Sequence, residues 1–345
     1  MSKNKPLAAN KVAGFTMIEM MISITIGLII IAALVGVLAS NSGQTSTNER
    51  TSEMQSSGRY AIDSLKRELR HAGYRGYTFV YAPLTSPVLA PITGECLEAG
   101  AAAGTFISNI SQGVWGSNDA NPFAANCIPG ANYAITGAAT IGEDVLVIRR
   151  LTRMTPATAA SVIKFRSTYS GGEPFRGNPA TACAGTMAGA IAPFNMAPCL
   201  NGVPNVDLLD FAVQVYVYYI SPYTSNPAEN PPVPALYRVS LQPDGSMTPE
   251  LVVSGVEHFQ VQYGRLTTDG NTRYYNANQI TGSSTLVPAT NWIDVNSVKI
   301  WLLTRNTTRE PGYSNANTYT MGDRSYVKAD GFRRQLFTTV VQLRN

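Results

Sequence analysis

Residues 20–39 form a run of twenty positions that are almost all apolar, and this run limits what the chain can become more than any other stretch. At about 1.5 Å rise per residue it makes roughly 30 Å of helix, enough to cross the hydrocarbon core of a bilayer. Ahead of it, residues 1–14 carry Lys3, Lys5 and Lys11 and no acidic residue. One carboxylate, Glu19, sits at its entrance.

A secretory signal peptide would have a basic start, an apolar region of about 7 to 15 residues and a small-residue cleavage site. This run is longer, and no Ala-x-Ala ends it. A plain membrane anchor would hold the three lysines on the cytoplasmic side. Glu19 argues against a plain anchor. An acidic side chain costs about 2.5 to 3.5 kcal/mol at the centre of a spanning helix, less near the interface, and so marks a function and a partner.

With 345 residues, 44% of them hydrophobic, the chain can bury a sizeable core in one large domain or two small ones. Three of the 26 basic residues fall within residues 1–14, and removing them leaves 23 against 22 acidic residues, a net charge of +1. Overall charge therefore gives no support for nucleic-acid binding, although it leaves room for a local patch. Cys96, Cys127, Cys183 and Cys199 all follow the apolar run, and an even count in an exported domain points to disulfides. Sequence order suggests Cys96 with Cys127 and Cys183 with Cys199, among three possible pairings. A zinc site is disfavoured because Cys-x-x-Cys is absent and His71 and His258 are distant in sequence.

No proline lies between Pro6 and Pro83, so nothing stops the apolar helix from continuing. From Met54 the pattern turns amphipathic. Ile62, Leu65, Leu69 and Ala72 form a stripe to pack on a sheet, Arg59, Lys66, Arg67 and Arg70 lie largely off it, and Asp63 can pair with Arg67. Gly73 reads as the residue after the helix, with Arg70 and His71 as cations in its last turn. Residues 41–57, rich in Ser, Thr, Asn and Gly, are the weak link, where a bend or loosened segment is expected.

Residues 83–142 read as a long insertion pinned by a disulfide and containing Trp115, and residues 170–205 as a second one. Strands are expected at 144–151, 161–165, 209–220, 236–241, 250–253, 256–263, 297–305 and 334–343, joined by turns such as Pro243-Asp244-Gly245 and Asp269-Gly270. Phe211, Val213, Val215, Val217 and Tyr219 alternate most clearly, and the tyrosines here serve chiefly as sheet formers. Strands without intervening helices argue for a mainly antiparallel sheet packed on one long helix.

Gly14-Phe15-Thr16-Met17-Ile18-Glu19 ahead of the apolar run resembles the processing site of a type IV prepilin. Residues 59–76, ending Arg70-His71-Ala72-Gly73-Tyr74-Arg75-Gly76, resemble the helix end of PilW-type minor pilins, where Arg-x-Ala-Gly-Tyr-x-Gly is typical. Residues 330–345, from Asp330-Gly331-Phe332-Arg333-Arg334 to Asn345, are similar to that family's closing strand, and 297–305 fits the strand before it. Tyr77 stands where such proteins often carry a cysteine, so the cysteine pairing cannot be carried over.

The resemblance implies an α+β, type IV pilin-like fold. Its parts are a leader at 1–14, a membrane and polymerisation helix at 15–40, an amphipathic continuation at 41–76 and a periplasmic β-rich head at 77–345. It implies cleavage between Gly14 and Phe15 by prepilin peptidase, N-methylation of Phe15, and a Glu19 that neutralises the N-terminal amine of a neighbouring subunit during assembly. The implied partners are other minor pilins, the major pilin, a tip adhesin and the inner-membrane assembly platform. The implied location is a single pass in the inner membrane before assembly and the extracellular fibre afterwards. The alternatives are a J-type pseudopilin of a type II secretion system, and a membrane-anchored adhesin or DNA-binding module.

Catalytic patterns are not found: the sequence has no Gly-x-Ser-x-Gly, Walker, Gly-x-Gly-x-x-Gly or His-Glu-x-x-His motif. His258 reads as a face-packed or exposed strand residue. Asn118-Asp119-Ala120-Asn121 and Asp269-Gly270-Asn271 read as turns rather than calcium loops. The expectation is a non-enzymatic protein with no catalytic, metal or cofactor residues.

Overall fold

The structure, a computed structural model, describes residues 14–76, 91–136, 141–154, 161–168, 171–176, 199–200, 203–204, 209–284 and 290–344. The chain divides into two compact units, Met1–Thr51 and Ser52–Asn345. Helix α1 spans Met17–Arg70, 54 residues. Helical structure runs without a break through 41–57, so no loosened segment interrupts it there. Most of these polar residues cost only a few tenths of a kcal/mol each in a helix, and Thr51 returns its hydroxyl to the Thr47 carbonyl at 2.8 Å.

In the first unit the apolar residues of α1 are uncovered all round, from Met17 to Leu38. Their mean hydropathy reaches 2.8, long and apolar enough to cross a membrane. The hydroxyls inside the run are satisfied locally, Ser23 donating to the Glu19 carbonyl at 2.7 Å and Thr25 to that of Met21 at 3.0 Å. A helix can therefore carry them into an apolar medium without orphaned donors.

In the second unit α1 buries Met54, Ala61, Leu65 and Leu69 at steps of seven, four and four residues, with Ile62 beside Ala61 on the same face. Asp63 and Arg67 are both exposed and close no ion pair. An exposed pair of this kind gains too little to hold two long side chains together. The helix ends where Gly73 takes φ 76°, a conformation only glycine adopts cheaply.

Seven strands form the larger sheet: β1 Val114–Ser117, β2 Val145–Arg153, β3 Ile163–Thr168, β4 Gly171–Arg176, β5 Leu209–Ser221, β6 Ala235–Leu241 and β7 Met247–Ser254. Their order is β1-β2-β5-β6-β7, with β3 paired to β5 and β4 to β3, all antiparallel. Then come β8 Val256–Leu266, β9 Thr272–Asn276, β10 Val295–Arg305, the hairpin of β11 Thr318–Met321 and β12 Arg324–Val327, and the closing β13 Arg334–Gln342. Of these, β9-β8-β10-β13 make a second antiparallel sheet. The strands are thus shared between two principal sheets, where a single sheet is expected from the sequence. Phe211, Val215, Ile148, Phe259, Val261, Ile300 and the α1 stripe all join one continuous core.

Residues 91–136 are integral to that core and not a peripheral insertion. They supply β1, the short helix α2 Thr105–Ser108, and the buried Phe106, Ile107, Trp115, Phe123 and Ile128. Arg149 of β2 is fully buried among them, its guanidinium 4.4 Å from the Phe106 ring centroid and donating to the Phe106 and Ser284 carbonyls at 2.9 and 2.8 Å. Burial lowers its pKa to about 9. Apolar residues spaced irregularly among Gly, Ala and Asn leave no period to read, which is why the sequence presents this part as a loop. Cys96 and Cys127 are joined, with Cα atoms 4.9 Å apart, as sequence order suggests. The pairing expected between Cys183 and Cys199 lies outside the described residues.

Candidate assembly site

Three features meet at the start of α1. Gly14 and Phe15 precede the helix in extended or irregular backbone and are exposed, Phe15 at 83%. A Cβ built on Gly14 meets nothing within 4 Å, and its φ lies outside the range that needs glycine. The fold gives no reason for glycine here, so the reason is left to whatever else reads this position.

Thr16 and Glu19 form a reciprocal cap. The Thr16 backbone N–H and hydroxyl donate to Glu19 Oε2 at 2.9 and 2.8 Å, while the Glu19 N–H donates to Thr16 Oγ1 at 3.3 Å. This is the capping-box arrangement, in which a hydroxyl residue and a glutamate three positions later satisfy each other's orphan donors. Glu19 also stands in the first turn, where the positive end of the helix dipole favours an anion. The sequence signal for this was available in Thr16-x-x-Glu19. What the geometry can do chemically is hold a negative charge, oriented and partly satisfied, at the mouth of an uncovered apolar helix. An apolar surface of that extent does not remain in water, and either lipid or neighbouring helices must cover it.

Ionisable groups inside the head have structural partners. His258 is buried, not exposed: its Nδ1 lies 2.7 Å from Glu143 Oε1, and its ring packs on Tyr326. Arg324 reaches the same glutamate at 3.4 Å and Asp119 at 3.3 Å. Asp144 accepts the Asp119 and Val261 N–H groups at 3.0 and 2.7 Å, and burial raises its pKa well above the ordinary aspartate value. Arg334 clamps Glu257 and Asp330 at 2.6 Å each, and despite burial these bonds keep both carboxyls below their ordinary values. The groups knit β8, β12 and β13 to the loop before β2. Among the described residues no cluster of three His, Cys, Asp or Glu side chains could hold a metal ion. His71, just past α1, turns its Nδ1 to the Arg67 carbonyl at 2.8 Å.

Residues 217–345 match the family model described as Type IV Pilus-assembly protein W, and residues 9–35 match that described as Prokaryotic N-terminal methylation motif. The first stretch is similar to the PilW family and the second to the N-terminal methylation motif, the two resemblances that the residues at the chain's two ends carry. No curated protein matches it. Among solved structures it is similar to a type IV-like pilin from Thermus thermophilus, at 13% identity and a TM-score of 0.33, covering 86% of this chain and 96% of that one.

Proposed function

We propose that this PilW-type chain is a minor pilin of a type IV pilus, made as a prepilin and acting structurally, not catalytically. Prepilin peptidase cuts between Gly14 and Phe15, Phe15 is N-methylated, and the mature protein joins other minor pilins in a tip-associated complex that primes assembly on the inner-membrane platform. Before assembly α1 is a single-pass anchor with a periplasmic head; afterwards the same apolar surface is buried against helices of neighbouring pilins. The observation that carries this reading is Gly14. It is a glycine the fold does not need, placed one residue before an exposed phenylalanine and five before the glutamate that guards the apolar helix.

The test is complementation of a deletion strain. Loss of surface pili and their rescue by the wild-type gene are expected, and a Gly14→Glu precursor should keep its leader and fail to rescue. A mature-sized band from Gly14→Glu would overturn the prepilin reading, and normal piliation without the gene would overturn the pilus role.

A further inference from the structure

Among the described residues the closing strand β13 is the outer strand of its sheet, paired on one side with β10. The Leu343 N–H donates to the Asn296 carbonyl at 2.8 Å, so odd-numbered residues here turn their backbone groups toward β10. Thr338, Val340 and Gln342 therefore turn theirs outward, and all three are exposed. Farther up the strand, the outward carbonyl of Arg334 is met by the Tyr319 hydroxyl at 3.4 Å. No proline, inward charge or register shift blunts the lower part of this edge.

Beside the edge runs α1. Gly58 faces the Phe337 ring, and eight and twelve residues on, Lys66 and Arg70 share with Val340, Val341, Gln342, Leu343 and Arg344 the walls of a groove of about 380 Å³. Helix and strand thus advance together, roughly 18 Å along the helix against a comparable length of strand. Lys66 and Arg70 have no ion-pair partner among the described residues. Arg59 and Arg67 are exposed on the same part of the helix, where Asp63 is the one exposed acid. Lys66 and Arg70 are one turn apart, about 6 Å of rise, and alternate residues of a strand are about 6.6 Å apart. A strand laid on the β13 edge would carry every second side chain past these two cations in step.

We infer that this groove docks an extended acidic segment of a different protein, which adds to β13 as a further strand and places acids at alternate positions against Lys66 and Arg70. A second copy of this chain does not fit the requirement, because none of its 22 acidic residues stands two positions from another. The inference rests on the open edge and the charge spacing and is independent of the pilus reading.

The test uses the full-length protein in detergent micelles and fluorescence anisotropy. The probe is a labelled decapeptide of alternating glutamate and valine. It is compared with a peptide of the same composition in blocks and with one N-methylated at alternate residues, which keeps the charge but cannot pair as a strand. The alternating peptide should bind at least about tenfold more tightly than either control, and Lys66→Ala with Arg70→Ala should weaken it by about tenfold. Both residues lie on the surface, and circular dichroism of the double variant checks that the fold is kept. Equal binding of the block or N-methylated peptide, or no effect of the double variant, overturns the inference. So does tighter binding of a single-stranded DNA decamer, which would make the groove a phosphate surface.

Discussion

The carboxylate of Glu229 accepts four hydrogen bonds, from Thr224 N–H at 2.9 Å, Val233 N–H at 3.2 Å, and the Ser225 N–H and hydroxyl at 2.6 Å each. It closes the proline-rich loop between β5 and β6. The Ser225 hydroxyl, then the backbone donors, lower its pKa from 4.5 to about 2. The folded state then binds the proton more weakly than the unfolded one, so the contribution is fully present above about 4.5 and is lost as pH falls toward about 2. Glu229→Gln should therefore destabilise the protein at neutral pH and match the wild type below about pH 2, read by unfolding across a pH series. A carboxyl titration at the ordinary glutamate midpoint would contradict this. Single residues of this kind were poorly legible in the sequence. Glu229 and His258 gain their roles from partners that only the folded chain brings close, Glu143 lying 115 positions from His258. The Thr16–Glu19 cap left a local signal that the sequence reading passed over, since a cap is made within four residues.

At the scale of elements, the strands were well disclosed. β2, β5, β6, β8, β10 and β13 fall within a few residues of their expected bounds, because runs rich in β-branched and aromatic residues, bounded by turn residues, mark strands whether one face is buried or both. Their division into two sheets was not legible, since pairing is decided by contacts far apart in sequence. The meeting of α1 with β13 also depends on one position the periodicity does not expose. A Cβ on Gly58 would run into the Phe337 ring, so a side chain there requires that ring to shift. Gly58→Ala should cost about 1 to 3 kcal/mol by overpacking, measured by denaturant unfolding. Adding Phe337→Leu should recover part of it, and an unchanged midpoint for Gly58→Ala would show that the ring simply moves aside.

For the whole molecule, the apolar run and its glutamate were the most legible feature, because membrane thickness and the cost of a buried charge are fixed outside the protein. Within its own chain Glu19 has Thr16 as its partner, and no cation reaches it among the described residues. Glu19→Ala should leave membrane insertion intact yet reduce co-purification with partner pilins. A buried charge that loses its counterpart commonly costs about 3 to 5 kcal/mol, and the amine of a neighbouring subunit would be left in that state. Unchanged piliation and co-purification in that variant would remove the charge-pairing role.

The end of α1 bears on how this protein withstands being pulled. Glu68 grips Arg150 at 2.8 Å, the Gly73 N–H donates to the Arg149 carbonyl at 2.9 Å, and the Leu151 N–H donates to the Tyr74 carbonyl at 2.9 Å. Three successive residues of β2 thus take hold of the helix end, and β2 lies inside its sheet, bonded to β1 on one side and β5 on the other. Tension arriving through the helix passes directly into an interior strand, where its neighbours' ladders share it, before it can draw on a loop. A chain held in this way would yield only by losing several bonds at once, which is the behaviour of a fastener and not of a hinge.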